Sequence, residues 1–144
     1  MGRVEDPYQL TRFLEAQASS LAQAKKELQN GKKVSHWMWY IFPQLKQLGH
    51  SSTAKFYGIR DLAEAKAFYQ HPVLGHNLRE CCELLLPHGQ RTAYQIMGSP
   101  DDLKLRSCVT LFLLATGDLI FQQVLDQFFD GKKDEKTVAF IKQD

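Results

Sequence analysis

The sequence has no glycine-rich loop of the P-loop or dinucleotide type, no HExxH pair and no GxSxG elbow. These absences remove the common local signatures of nucleotide hydrolases, Rossmann enzymes, zinc peptidases and α/β-hydrolases. Cysteine is scarce: there are three, with no CxxC and no zinc spacing. Cys81 and Cys82 are neighbours in the chain, a spacing that strains a mutual disulfide. Unpatterned thiols fit a reducing compartment, so a cytoplasmic location is expected. His71 and His76 are five apart and do not share a helical face, so no metal site is expected, nor any cofactor. Long apolar runs are missing too. VTLFLLA at 109–115 falls far short of the roughly 20 residues of a bilayer span. MGRVEDPYQL lacks the apolar run of a signal peptide, and Asp6 stands where a myristoylation motif has Ser or Thr. No membrane role is expected. Charge of one sign is equally lacking. Lys and Arg number 18 against 16 Asp and Glu, a formal +2, and the pairs Lys25-Lys26 and Lys32-Lys33 are short. That bias is too weak to indicate nucleic acid. A monomer is expected, with a small molecule as the partner.

What is present is helix punctuation. At 44% hydrophobic and 24% charged, the 144 residues suit one soluble domain with a sizeable core. Asp6-Pro7-Tyr8-Gln9 reads as an N-cap, a proline at the first helical position and a capping-box Gln. Behind it, Leu10, Phe13, Leu14, Leu21, Ala24 and Leu28 fall on one face, and Gly31 stops the helix. Ser35 is placed to cap a helix from about 36 that Pro43 ends. Ser51 or Ser52, Asp61 and Thr92 are placed to cap further helices, and His71-Pro72 separates two of them. In GSPDDLKL, Ser99 reads as the cap, Pro100 as the first helical position, and two carboxylates favour the positive end of the dipole. That helix runs to Gly117 and is apolar nearly all round in its second half, which marks it as central and buried. Asp118 and Asp134 start the last two helices. There is no bounded period-2 alternation. The expected fold is all-α: one domain over 1–144, core about 6–142, with about seven helices and short loops.

SHWMWYIFPQ at 35–44 holds both tryptophans and is the first candidate site. Trp and Tyr carry large apolar faces with a polar tip, the residues that line pockets for flat rings. His36 and Gln44 flank the stretch as orienting groups. Trp37, Ile41 and Tyr40 also lie at helical spacing, so core packing is the competing reading. The second candidate is Asp101, Asp102, Lys104 and Arg106. Capping accounts for the carboxylates, but Asp102, Arg106 and Thr110 follow at spacings of four, with Lys104 and Ser107 alongside. A polar line on a buried helix needs partners, water or a ligand, and a Lys or Arg there suits a phosphate or carboxylate. The histidines 50, 71, 76 and 88 read as loop and cap residues. The three cysteines read as buried and inert.

DPYQLTRFLEAQ, GKKVSHWMWYIFPQLKQLG, HPVLGHNLREC and GSPDDLKLRSCVTLF together resemble a bacterial family known as domain of unknown function 1810, over roughly residues 6 to 130. The resemblance implies a mostly helical single domain and no established activity. Some relatives carry a calpastatin-like label, whose disordered, Pro-rich character this chain lacks. The residues resembling the family's signature are Ser35, His36, Trp37, Trp39, Phe42, Pro43 and Gln44, then Asp102, Lys104 and Leu105. Tyr57 stands where the family pattern has tyrosine. Cys108 and Val109 stand where it often has serine and methionine, which counts against a family-wide thiol mechanism. EAKAF and LLATGD are also reminiscent of the NADAR family, linked to NAD and ADP-ribose chemistry.

Three functional readings stay open. One is a ligand-binding domain, with a small, nucleotide-like molecule held by His36, Trp37, Trp39, Gln44, Tyr57 and Lys104. The second is a hydrolase of a nucleotide or ADP-ribose-type substrate, with Asp102 as base or oxocarbenium stabiliser, His36 as proton donor and Lys104 on the phosphate. The third is a protein-interaction module that displays its aromatics.

Overall fold

The computed structural model describes residues 6–142. Among them are nine α-helices: α1 Thr11–Asn30, α2 Met38–Ile41, α3 Ser52–Phe56, α4 Leu62–Gln70, α5 Leu74–Leu85, α6 Ala93–Met97, α7 Asp101–Thr116, α8 Leu119–Phe129 and α9 Glu135–Lys142. The fold is all-α, close to the expected count: six of the nine helices have seven or more residues, and α2, α3 and α6 are short single turns. The β-pairing among the described residues is one parallel bridge between Leu45 and Ile59.

The punctuation mostly acts as read. Ser51, Asp61, Thr92, Asp118 and Asp134 each accept a backbone N–H at the start of a helix. Gly31 and Gly117 end α1 and α7 in the left-handed conformation. Three caps differ. Asp6 does accept the amides of Leu10 and Thr11, but Pro7–Gln9 form a separate turn in which Gln9 has φ 54°, so α1 starts at Thr11. Ser35 does not cap α2, because its hydroxyl donates to Glu27 instead. Ser99 does not cap α7; Pro100 holds the N-cap position, and the Asp102 amide bonds the Gly98 carbonyl at 2.8 Å.

α7 is the central helix, with Leu105, Ser107, Cys108, Val109, Thr110, Leu111, Phe112 and Ala115 buried. It packs against α4, α6, α8 and α9, while α1 packs against α5 and α2. One continuous core joins them, from Leu10, just before α1, and Phe13 in α1 to Phe121 and Leu125 in α8. The cysteines are free and buried, and burial raises all three thiol pKa values, to about 12 for Cys81. No helix among the described residues is long and apolar enough to cross a membrane.

The polar line on α7 is largely structural. Arg106 donates to the carbonyls of Lys132 and Lys133, both at 2.8 Å, and the Thr110 hydroxyl accepts the Asp134 amide at 3.0 Å. These bonds clamp the α8–α9 connection and set where α9 begins. Arg106→Ala is expected to cost about 1–2 kcal/mol, for two charge-assisted bonds at a partly exposed site. Hydrogen exchange checks it: amides of 132–142 lose protection while those of α1 and α5 do not.

Candidate functional site

The site is built outward from Glu27, near the end of α1. Its buried carboxylate accepts five hydrogen bonds: from the amides of Val34 and Ser35, the Ser35 hydroxyl, the Gln23 amide and the Trp37 indole. Burial pushes its pKa up, but the bonds from Ser35, Val34 and Gln23 outweigh burial and hold it well below the usual carboxylate range. Residues 34–37 are thus wrapped round one anion, which leaves only Met38–Ile41 free to coil into α2. Lys33 adds a second tie. Its ammonium donates to the Ser35 carbonyl at 2.6 Å, pairs with Asp101 at 2.9 Å and lies 4.9 Å from the Trp37 ring centre. The aromatic stretch is therefore fastened to the first turn of α7.

This fastening brings Trp39 to Lys104, whose ammonium lies 5.7 Å from the indole ring centre. From the other side the bridge delivers Gln44 and Tyr57. The Lys46 amide donates to Ile59 and the Ile59 amide to Gln44, both at 2.8 Å. Trp39, Gln44, Tyr57 and Lys104 so line one narrow cleft floored by Met38 and Phe42. Its free volume is about 10 Å³, room for a single water. Past Gln44 and Lys104 it opens into a groove of about 710 Å³ walled by Leu103, Arg106, Glu135 and Lys136.

Four of the six proposed ligand residues therefore meet. The other two do not line this cleft. Trp37 is 1% exposed and gives its indole N–H to Glu27 at 2.9 Å, so it is core. His36 is exposed, and its carbonyl accepts the Tyr40 hydroxyl at 3.4 Å. Asp102 also lies off the cleft and its groove. Its Oδ1 is buried with no hydrogen-bond partner among the described residues. No group of three or more His, Cys, Asp or Glu among the described residues is placed to hold a metal.

The aromatic tips sort the cleft from its frame. Trp37 and Tyr40 have their polar atoms engaged, by Glu27 and by Ser20. The Trp39 indole N–H, the Tyr57 hydroxyl and the Gln44 side-chain amide make no hydrogen bond within the described residues, and Lys104 reaches only Asp101, at 3.7 Å. Sequence reasoning did not single out Glu27, Lys33 or His88, which hold the frame. His88 bonds the Leu28 carbonyl at 2.8 Å near the end of α1. Glu27 carries no local signal, because its partners lie beyond the glycine that ends its helix.

No curated protein matches the chain. A conserved hypothetical protein from Mycobacterium tuberculosis, Rv1873, whose crystal structure is known, is similar at 44% identity over 95% of this chain and 99% of that one, with a TM-score of 0.94. The family model described as protein of unknown function (DUF1810) matches residues 7–141. With that match spanning the helical frame and both walls of the cleft, the chain belongs to the DUF1810 family.

Proposed function

We propose that the protein binds a small molecule with a flat ring and an anionic group, of nucleotide-like kind, at the Trp39–Tyr57–Gln44–Lys104 cleft. The observation that carries this is a set of polar tips on one concavity beside aromatic faces: an indole N–H, a phenol and a carboxamide with no hydrogen bond to a described residue, and an ammonium with one loose partner, Asp101 at 3.7 Å. Elsewhere in the same stretch such groups are consumed by the fold. The inner slot is too small for a ring, so the body of the ligand lies in the outer groove, which shares Gln44 and Lys104 with the cleft, with its anion on Lys104 and one edge at the cleft mouth. Gln44 then reads polar atoms on the ring edge.

Binding without catalysis is favoured over hydrolysis, because the proposed acid and base, His36 and Asp102, do not line the cleft or its groove. It is favoured over an interaction module because the buried Trp37 and the half-buried Trp39 are not displayed on a convex face.

Thermal denaturation against nucleotides, sugars and NAD-related metabolites tests the proposal. A ligand at a hundred times its Kd adds about 2.7 kcal/mol. For a chain of this length that raises Tm by roughly 5–10 °C. The same ligand is expected to leave Lys104→Ala nearly unshifted. A well-folded protein that shifts with none of them contradicts the proposal.

A further inference from the structure

A second concavity lies on the other side of the Leu45–Ile59 bridge. The Lys46 amide donates to the Ile59 carbonyl, and the two chains run so close that a Cβ on Gly58 would sit 2.4 Å from the Lys46 Cα. This contact brings Lys46 beside Arg60. The end of α3 adds Lys55 and the turn at Pro7–Gln9 adds Tyr8, and together they enclose a pocket of about 260 Å³ with Arg12 in its wall. Four cations line it against one carboxylate, Glu64.

That carboxylate is already engaged. One of its oxygens takes Arg12 at 2.7 Å and the other takes the Arg60 amide at 3.1 Å. Arg12 is fully committed as well. It bonds Glu64 and the carbonyls of Tyr8, Gln9, Phe56 and Gly58, so it acts as the frame of the pocket. The other three cations differ. Lys46, Lys55 and Arg60 make no ion pair and no side-chain hydrogen bond with any described residue. Arg60 is held by the Tyr8 ring, 5.2 Å from its centre. A cation over a ring face is held there without using its forked N–H donors. A planar fork flanked by two ammonium groups over a neutralised floor is the donor set for a phosphate oxyanion.

We propose that this pocket binds the phosphate or diphosphate group of a small ligand. Arg60 grips two oxygens side by side, while Lys46 and Lys55 neutralise the charge as mobile point cations. The site is separate from the aromatic cleft, which shares only the Gly58 backbone with it.

Isothermal titration of the full chain at low ionic strength tests this, with inorganic pyrophosphate and ADP as separate probes. Pyrophosphate is expected to bind, more weakly as salt rises. Arg60→Gln and the double variant Lys46→Gln/Lys55→Gln are each expected to lose about tenfold or more, because charged hydrogen bonds are removed. These side chains are exposed, so unchanged melting curves are expected for both. Lys66→Gln, which removes an exposed cation outside both sites, is expected to bind pyrophosphate as the parent does. ADP binding as tightly as pyrophosphate with the same loss in Arg60→Gln assigns the site to a nucleotide's phosphate end, and weaker ADP binding assigns it to a free phosphate compound. Failure of the parent protein to bind either probe, or binding unchanged in both basic-residue variants, overturns the proposal.

Discussion

Glu27→Ala is expected to destabilise the protein by about 3–5 kcal/mol, the range for removing one partner of a buried charged network. Five donors lose their acceptor, and three of them, the amides of Val34 and Ser35 and the Trp37 indole, share one oxygen and have no other described partner. Each buried donor left unpaired costs about 1–3 kcal/mol, and the donors do not sum because the 34–37 segment relaxes as a unit. Glu27→Gln should cost far less. Its carbonyl oxygen can keep the three N–H donors, while its amide faces Ser35 Oγ and the Gln23 side chain, both of which can turn to accept. The pair of variants also separates charge from shape. Because the folded protein holds the Glu27 pKa below its ordinary value of 4.5, the unfolded chain takes up the proton first on acidification. The stability that Glu27 contributes is complete above pH 4.5 and drains away below it. Urea unfolding checks both points: the gap between parent and Glu27→Gln should narrow from pH 6 to pH 3. A constant gap would mean that the charge contributes nothing.

Gly75→Ala is expected to cost about 3 kcal/mol or more, against the usual direction for a helix. Alanine normally gains about 1 kcal/mol over glycine inside a helix. Here the added Cβ would lie 1.9 Å from the Tyr69 carbonyl oxygen and 2.8 Å from its carbon. That backbone cannot easily retreat. Tyr69 donates its hydroxyl to Asp118, which caps α8, and its ring packs on Phe112 and Phe121. Relieving the clash pries α4 from α5 and strains both contacts. The midpoint of urea unfolding gives the answer, and a change under 1 kcal/mol would show that the α4–α5 corner yields freely.

These two residues also mark the border of what the sequence discloses. Caps are local, so Ser51, Asp61, Thr92, Asp118 and Asp134 are legible as residue types just before apolar periodicity. The buried α7 is legible for the same reason. Ser35 looks the same as those caps, yet a carboxylate eight residues upstream takes its hydroxyl and shortens α2 to four residues. Gly75 reads as a mere weak point of α5 until the neighbouring carbonyl is seen. A single bridged pair, Leu45 and Ile59, has no periodicity to announce it, yet it sets Gln44 and Tyr57 on the cleft and Lys46 beside Arg60.

The candidate site is legible in the same uneven way. Trp39 and Lys104 stand 65 positions apart, and the polarity of each hints at a role, but only the tertiary fold, with Lys33 tied to Asp101, brings them together. Trp37 and Trp39 cannot be told apart by type. One is consumed by Glu27 and the other keeps its N–H unengaged. Arg106 and Thr110, drawn into the same polar line as Lys104, serve the 132–134 connection instead.

With both tryptophans in one stretch and only Trp39 at the cleft, fluorescence reads the proposed site directly. A compound that raises the melting temperature should also quench or shift the tryptophan emission of the parent protein, saturating at the same concentration. In Trp39→Phe the remaining signal from buried Trp37 should not respond, and Lys104→Ala should weaken the parent's response at least tenfold, about 1.4 kcal/mol. An emission change that persists in Trp39→Phe, or binding that Lys104→Ala leaves intact, would contradict the assignment of the cleft.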